Sequence, residues 1–127
     1  MAASAYLSDA IITTYFAGTK YVSEHTGPPG ATGANEVTTG ADANYARQSA
    51  TLVKSSIGSL FKASNSADVV FPAAAAGSSY TVTHLGIWDA ATAGNLLATL
   101  EVSGVGISVT DGKINTFAIG EIVVTGE

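Results

Sequence analysis

Two histidines, ten carboxylates and no cysteine make up the chain's stock for acid–base, nucleophilic or metal chemistry, beside a large number of Ser and Thr residues. Without cysteine there are no disulfides and no thiolate metal sites, and a nucleophile has to be a Ser or Thr beside a general base. His84 lies five residues before Asp89, and with a serine that pair would complete a Ser–His–Asp triad. No Gly-x-Ser-x-Gly elbow marks one serine for the role. The plainer reading of His84 is a packed strand histidine bonded to a neighbouring backbone or hydroxyl group. His25, at the edge of a Gly/Pro segment, reads as a loop anchor or an exposed side chain rather than a metal ligand. Zinc takes three or four His, Cys or carboxylate ligands, and no ligand spacing is visible. Asp89 before a turn, and Asp111 before Gly112, are expected to bond backbone N–H groups of their own turns. Two carboxylates brought together by folding would suit a glycosidase, which the sequence leaves open. There is no Walker loop and no GxGxxG, so no cofactor and no metal is expected. Arg47 is the only arginine. Its planar fork suits a bidentate bond to a carboxylate, Glu36 or Asp89. Trp88 is the only tryptophan, and its place in a strand pattern favours burial.

The catalytic inventory is thin, and composition points elsewhere. The chain has 127 residues, a formal net charge of -5 and 12% charged residues. That length is expected to form one domain with a sufficient core. The acidic balance and five scattered cations argue against binding a nucleic-acid backbone. The N-terminus lacks the basic n-region of a secretory signal, and no apolar run approaches the ~20 residues of a membrane span. A protein made and kept in the cytosol, with no membrane partner, is expected. A surface so poor in charge must be largely Thr, Ser, Ala and Gly, a composition suited to packing against neighbours.

The elements that must carry these residues begin with one helix. Tyr6, Leu7, Ala10, Ile11, Thr14 and Tyr15 recur on one stripe of a 3.6-residue period, which predicts a helix over 4–17. Ser4 is its expected N-cap and Gly18 its left-handed stop; Ile12 and Phe16 fall partly off the stripe. Tyr21-Val22 starts a short extended segment. Residues 26–44 read as a long loop, where Pro and Gly block both helix and central strand. Strands are expected at 45–53, 69–71, 80–88, 96–102, 105–109, 116–119 and 121–125, with Asp111-Gly112 as a tight hairpin turn. Short strands with turn signals at this spacing indicate an all-β sandwich, jelly-roll-like, with one N-terminal amphipathic helix. The expected organisation is a helical arm over 1–20, a docking loop over 21–44 and a sandwich over 45–127.

Several blocks resemble a known family. Val22-Ser-Glu-His-Thr-Gly-Pro-Pro-Gly30-Ala-Thr-Gly-Ala-Asn-Glu-Val37, followed by Asn44-Tyr-Ala-Arg-Gln48, is similar to a family of small tailed-phage virion proteins. Asn65-Ser-Ala-Asp-Val-Val-Phe-Pro72 resembles its Asn…Phe-Pro segment. Val82-Thr-His-Leu-Gly-Ile-Trp-Asp89 with Gly94-Asn-Leu-Leu97 resembles its Thr-His and Gly-Asn-Leu-Leu signature. Tyr6-Leu7-Ser8-Asp9-Ala10 matches its amphipathic start. Glu24, where the family often has Leu, and the segment before Tyr45 depart from the pattern.

The resemblance implies a virion structural protein, of the kinds labelled tail-fibre-like, head decoration or minor capsid. The function expected first is a capsid decoration (cement) protein, with no enzymatic activity. It would sit on the outer capsid surface, bind the major capsid protein and assemble with itself as a trimer. A tail-fibre or tail-tip component contacting the host is the alternative. A carbohydrate-binding sandwich, using Tyr45 or Tyr80, is the second alternative. Candidate contact residues are Tyr6, Leu7, Ile11, Tyr15, His25, Pro28, Pro29, Glu36 and Arg47. Deleting residues 1–17 is expected to leave the strands folded.

Overall fold

Ser4 starts the structure's helix as the sequence predicts: its Oγ accepts the Leu7 N–H at 3.2 Å, the N-cap bond that a serine there supplies. The computed structural model describes residues 4–57, 60–102 and 104–125. Helix α1 (Ala5–Ile11) widens into a π-helical turn over Ile12–Phe16, closed by Ala17 N–H to Ile12 O at 2.8 Å. Gly18, at φ +95°, then turns the chain into the first strand, a conformation a Cβ would oppose.

Among the described residues ten strands follow: β1 (Gly18–His25), β2 (Gln48–Ile57), β3 (Leu60–Asn65), β4 (Val69–Val70), β5 (Ser79–Val82), β6 (His84–Trp88), β7 (Leu96–Glu101), β8 (Ile107–Thr110), β9 (Thr116–Phe117) and β10 (Val123–Thr125). The chain is all-β with one short N-terminal helix. It forms two compact units, one of residues 1–20, 49–69 and 117–127, the other of residues 21–48 and 70–116.

In the first unit β3 pairs antiparallel with β2 and with β10, with Val53 opposite Ser64 and Val124 opposite Ala63. Helix α1 is fixed to β3 by Ser8, whose fully buried Oγ accepts the Phe61 N–H at 3.0 Å. Ile12, Phe16, Leu52, Ala63, Ile122 and Val124 are buried apolar side chains of this unit. The inward line of the helical segment is therefore Ser8–Ile12–Phe16. The stripe read from the sequence faces the other way, leaving Tyr6 86%, Leu7 42% and Tyr15 56% exposed. The count of apolar residues misjudged this because the innermost position is a serine, buried for its hydrogen bond. Deletion of 1–17 would also remove Ile12 and Phe16 from the core of this unit. Asn65 closes the unit: its Oδ1 accepts the N–H groups of Gly120 and Ile122, and its Nδ2 donates to Ala67 O and Ala118 O.

In the second unit residues 21–25 of β1, β6 and β7 form an antiparallel sheet, and β5 pairs with β8. Val22, Val37, Phe71, Val82, Leu85, Ile87, Trp88 and Val109 are buried. Several strand boundaries differ from expectation for local reasons. β1 extends back to Gly18. β2 begins at Gln48 rather than Tyr45, whose backbone N–H is given to the Asp42 carbonyl at 3.0 Å in a turn. β8 begins at Ile107, after Gly106 at φ +87° breaks the alternation and leaves Val105 exposed. Asp111-Gly112 does turn, with Lys113 N–H to Thr110 O at 3.0 Å, but it joins no hairpin, since β8 pairs with β5.

Candidate functional site

Strand alternation decides what meets beneath the 26–47 loop. Ser23 pairs with Gly86 in the β1–β6 register, so Ser23, His25, Gly86 and Trp88 share one face, and Val22, Glu24, Leu85 and Ile87 the other. Gly86 is small for a reason. A Cβ there would lie 2.5 Å from Ser23 Oγ and 3.0 Å from both His25 Nε2 and Trp88 Nε1.

Over that glycine runs a directed chain of hydrogen bonds. Trp88 Nε1–H, only a donor, gives to Ser23 Oγ at 2.7 Å. Ser23 Oγ lies 2.6 Å from His25 Nε2, and His25 Nδ1 lies 2.7 Å from Ala34 O. A carbonyl only accepts, so Nδ1 carries the proton, Nε2 accepts, and Ser23 donates to it. Burial, ahead of the opposing Ala34 bond, pulls the His25 pKa below its ordinary value and keeps the ring neutral. The pair has the atoms of a nucleophile and its base. Yet Ser23 and His25 are both 0% exposed, and Nδ1 faces a carbonyl where a triad has a carboxylate. What the arrangement does is hold Ala34, and with it the loop, against β1. His25 thus has the loop-anchoring role foreseen for it. Ser23 was missed, although its spacing two before a histidine in a strand is a same-face signal.

The loop closes on the same strand by Thr26 N–H to Asn35 O and Val37 N–H to Glu24 O, both at 3.0 Å. Asn35, at φ +64°, donates from its side chain to Pro28 O. Gly33 lies against Trp88, whose Cη2 a Cβ would approach to 2.4 Å. Pro28 is exposed, whereas Pro29 is buried, as His25 is.

Arg47 clasps the loop's far end. Its Nε and one terminal nitrogen meet both Glu36 oxygens at 2.9 Å, the bidentate geometry expected, with Glu36 the partner rather than Asp89. The other terminal nitrogen donates to Ala90 O and Ala93 O, and the guanidinium lies 3.6 Å over the Trp88 ring. Burial raises the Glu36 pKa, but the Arg47 and Tyr45 hydrogen bonds and the Arg47 charge outweigh it and hold the carboxyl below its usual range. Tyr45 donates to Glu36 at 2.8 Å, accepts the Glu24 N–H at 3.0 Å, and stacks on Phe71. Tyr80 donates to Asp42 at 2.9 Å. Both rings are half-buried, so neither is the open stacking surface that a carbohydrate site built on them needs.

Beside the clasp lies a cleft of about 390 Å³, lined by Val37, Thr39, Tyr45, Arg47 and the 91–93 turn. His84 is half-buried, with Nδ1 2.8 Å from the Thr83 hydroxyl. Asp89 accepts from the Asn95 backbone and side-chain N–H groups, six residues on, and so spans its turn as expected. Asp111 accepts the N–H of Gly77, outside its own turn. Among the described residues no cluster of three His, Asp or Glu is placed to hold a metal, and no helix is long and apolar enough to cross a membrane. In the first unit Ile11 is half-buried, and Tyr6, Leu7 and Tyr15 remain open beside it.

Residues 2–125 match the family model described as Podophage GP4 fiber I protein gp80. The chain belongs to this family. It is a phage virion protein with a structural role, tail-fibre-like in its kinship. A search of curated proteins found no match. The blocks that carry the resemblance now have physical roles in this virion protein. Ser23 and His25 hold the loop, Glu36 and Arg47 form the clasp, Asn65 ties a strand end, and Gly86 makes room for the hydrogen-bond chain.

Proposed function

We propose that this chain is a fibre component of the phage virion that acts by contact with neighbouring virion proteins and with copies of itself, without catalysis. The match to a fibre family over residues 2–125 carries this reading. Two structural observations support it. Ser23, His25 and Arg47, whose side chains have the atoms for chemistry, are committed to internal bonds. Meanwhile, the N-terminal helix presents Tyr6, Leu7 and Tyr15 outward, beside a surface poor in charge. We take that helical face as the contact surface, and a symmetric homo-oligomer, a trimer by the sequence reading, as the assembled form.

Decoration of the outer capsid is the second reading. The low charge favours it, at 12% of residues, because close packing on a lattice of identical sites suits such a surface. Gold-labelled antibody against the chain on intact particles separates the two. Label confined to the tail fibres is the expected result, and label spread over the head in many copies overturns the fibre assignment in favour of decoration.

A further inference from the structure

Glu24 points to the face of β1 opposite Ser23 and His25 and is 1% exposed. Its Oε2 accepts from Asn115 Nδ2 at 2.6 Å, while Oδ1 of the same amide is buried with no partner. The two ion pairs among the described residues, Arg47–Glu36 and Lys54–Asp9, leave Glu24 out. Among the described residues the groups around it offer no positive charge. Asp42 is held by the N–H groups of Asn44 and Ala75 and by the Tyr80 hydroxyl, and the Tyr45 hydroxyl meets the Glu24 N–H. His25, the next residue, is neutral and on the other face, and Glu36 is neutralised by Arg47. Lys113, two residues before Asn115, is exposed.

A carboxylate in that place would be a buried charge without a cation, and Asn115 Oδ1 would lack a donor. A neutral acid answers both problems. Its carbonyl oxygen keeps the amide N–H bond, and its O–H is the donor that Oδ1 lacks, giving a two-bond acid–amide pair. We propose that Glu24 is a proton-holding latch: as the neutral acid it pairs through both oxygens with the Asn115 amide, tying β1 to the segment before β9, and ionisation opens the pair. The position matters because the Glu24 backbone also holds the loop, through Tyr45 at its N–H and Val37 at its carbonyl. The latch therefore sits on the residue that anchors the 26–47 loop at its middle and near its far end.

Burial above all, with the Asp42 charge adding to it and the Asn115 bond opposing it, pushes the Glu24 pKa up from 4.5 to about 7. A pKa higher in the folded state than in the unfolded one means that the fold holds the extra proton. The stability this group contributes is complete below about 4.5, falls as pH rises, and is lost through about 7. His25 acts in the opposite sense, because its lowered pKa costs stability as pH falls below 6.5. A comparison with a variant cancels that contribution.

The variant is Glu24→Gln in the full chain, whose amide supplies an N–H donor and a carbonyl acceptor at every pH. Chemical denaturation at about pH 5 and about pH 8.5 should give nearly equal midpoints at the lower pH and a clearly higher midpoint for E24Q at the upper. A difference that does not change with pH, or a less stable variant at the upper pH, overturns the proposal. The carbon resonance of the Glu24 carboxyl in the unaltered protein gives a second reading. It should titrate with a midpoint near 7, and a midpoint near 4.5 overturns the latch.

Discussion

Gly86 shows how far one residue's size governs this protein. The whole Trp88–Ser23–His25–Ala34 chain passes over a position with no side chain. Gly86→Ala introduces one methyl group at 2.5 Å from Ser23 Oγ, and the polar chain above it cannot move without orphaning a buried donor. A loss of about 1–3 kcal/mol is expected from the overpacking alone. Equilibrium denaturation should show it together with a changed Trp88 fluorescence, since the indole N–H loses its partner. An alanine variant as stable as the parent, with unchanged emission, would mean that the chain is not the tether described. Much of this was out of reach in the sequence. His25 as an anchor, Trp88 as buried and Arg47 as a carboxylate fork follow from side-chain chemistry. Which serine, which carboxylate and which carbonyls they meet depends on strand register, and a single sequence does not state the pairing of β1 with β6.

At the scale of elements, the helix is the instructive case. Its position, its serine cap and its glycine stop were legible because each is a local backbone requirement. Its facing was not, because the buried line begins with Ser8, whose burial depends on the Phe61 N–H far along the chain. The strands show the same division. Alternation and turn residues gave most of them, while the Asp111-Gly112 turn suggested a hairpin that the β5–β8 pairing supplants. The facing makes a paired prediction. Ile12→Ala, at a fully buried site, should cost about 2–5 kcal/mol. Tyr15→Ser, on the open face, should change stability by no more than about 0.5 kcal/mol. Urea midpoints of the two variants check this, and a reversed order would show that the helix packs by the stripe first read from the sequence.

For the whole molecule, a surface with few charges, an outward helical face and polar groups turned to internal use support the proposal of a protein that works by contact within a phage particle. The family match establishes the virion and structural part of that statement. The contact surface is the central claim beyond it. The most direct measurement substitutes Tyr6, Leu7 and Tyr15 together by Ser, which leaves Ser8, Ile12 and Phe16 to hold the helix, and follows incorporation into particles. Phage grown with the variant as its sole source of this protein should yield purified virions depleted of it, while the isolated variant keeps the denaturation midpoint of the parent. Virions carrying the parental amount of the triple variant would contradict the account.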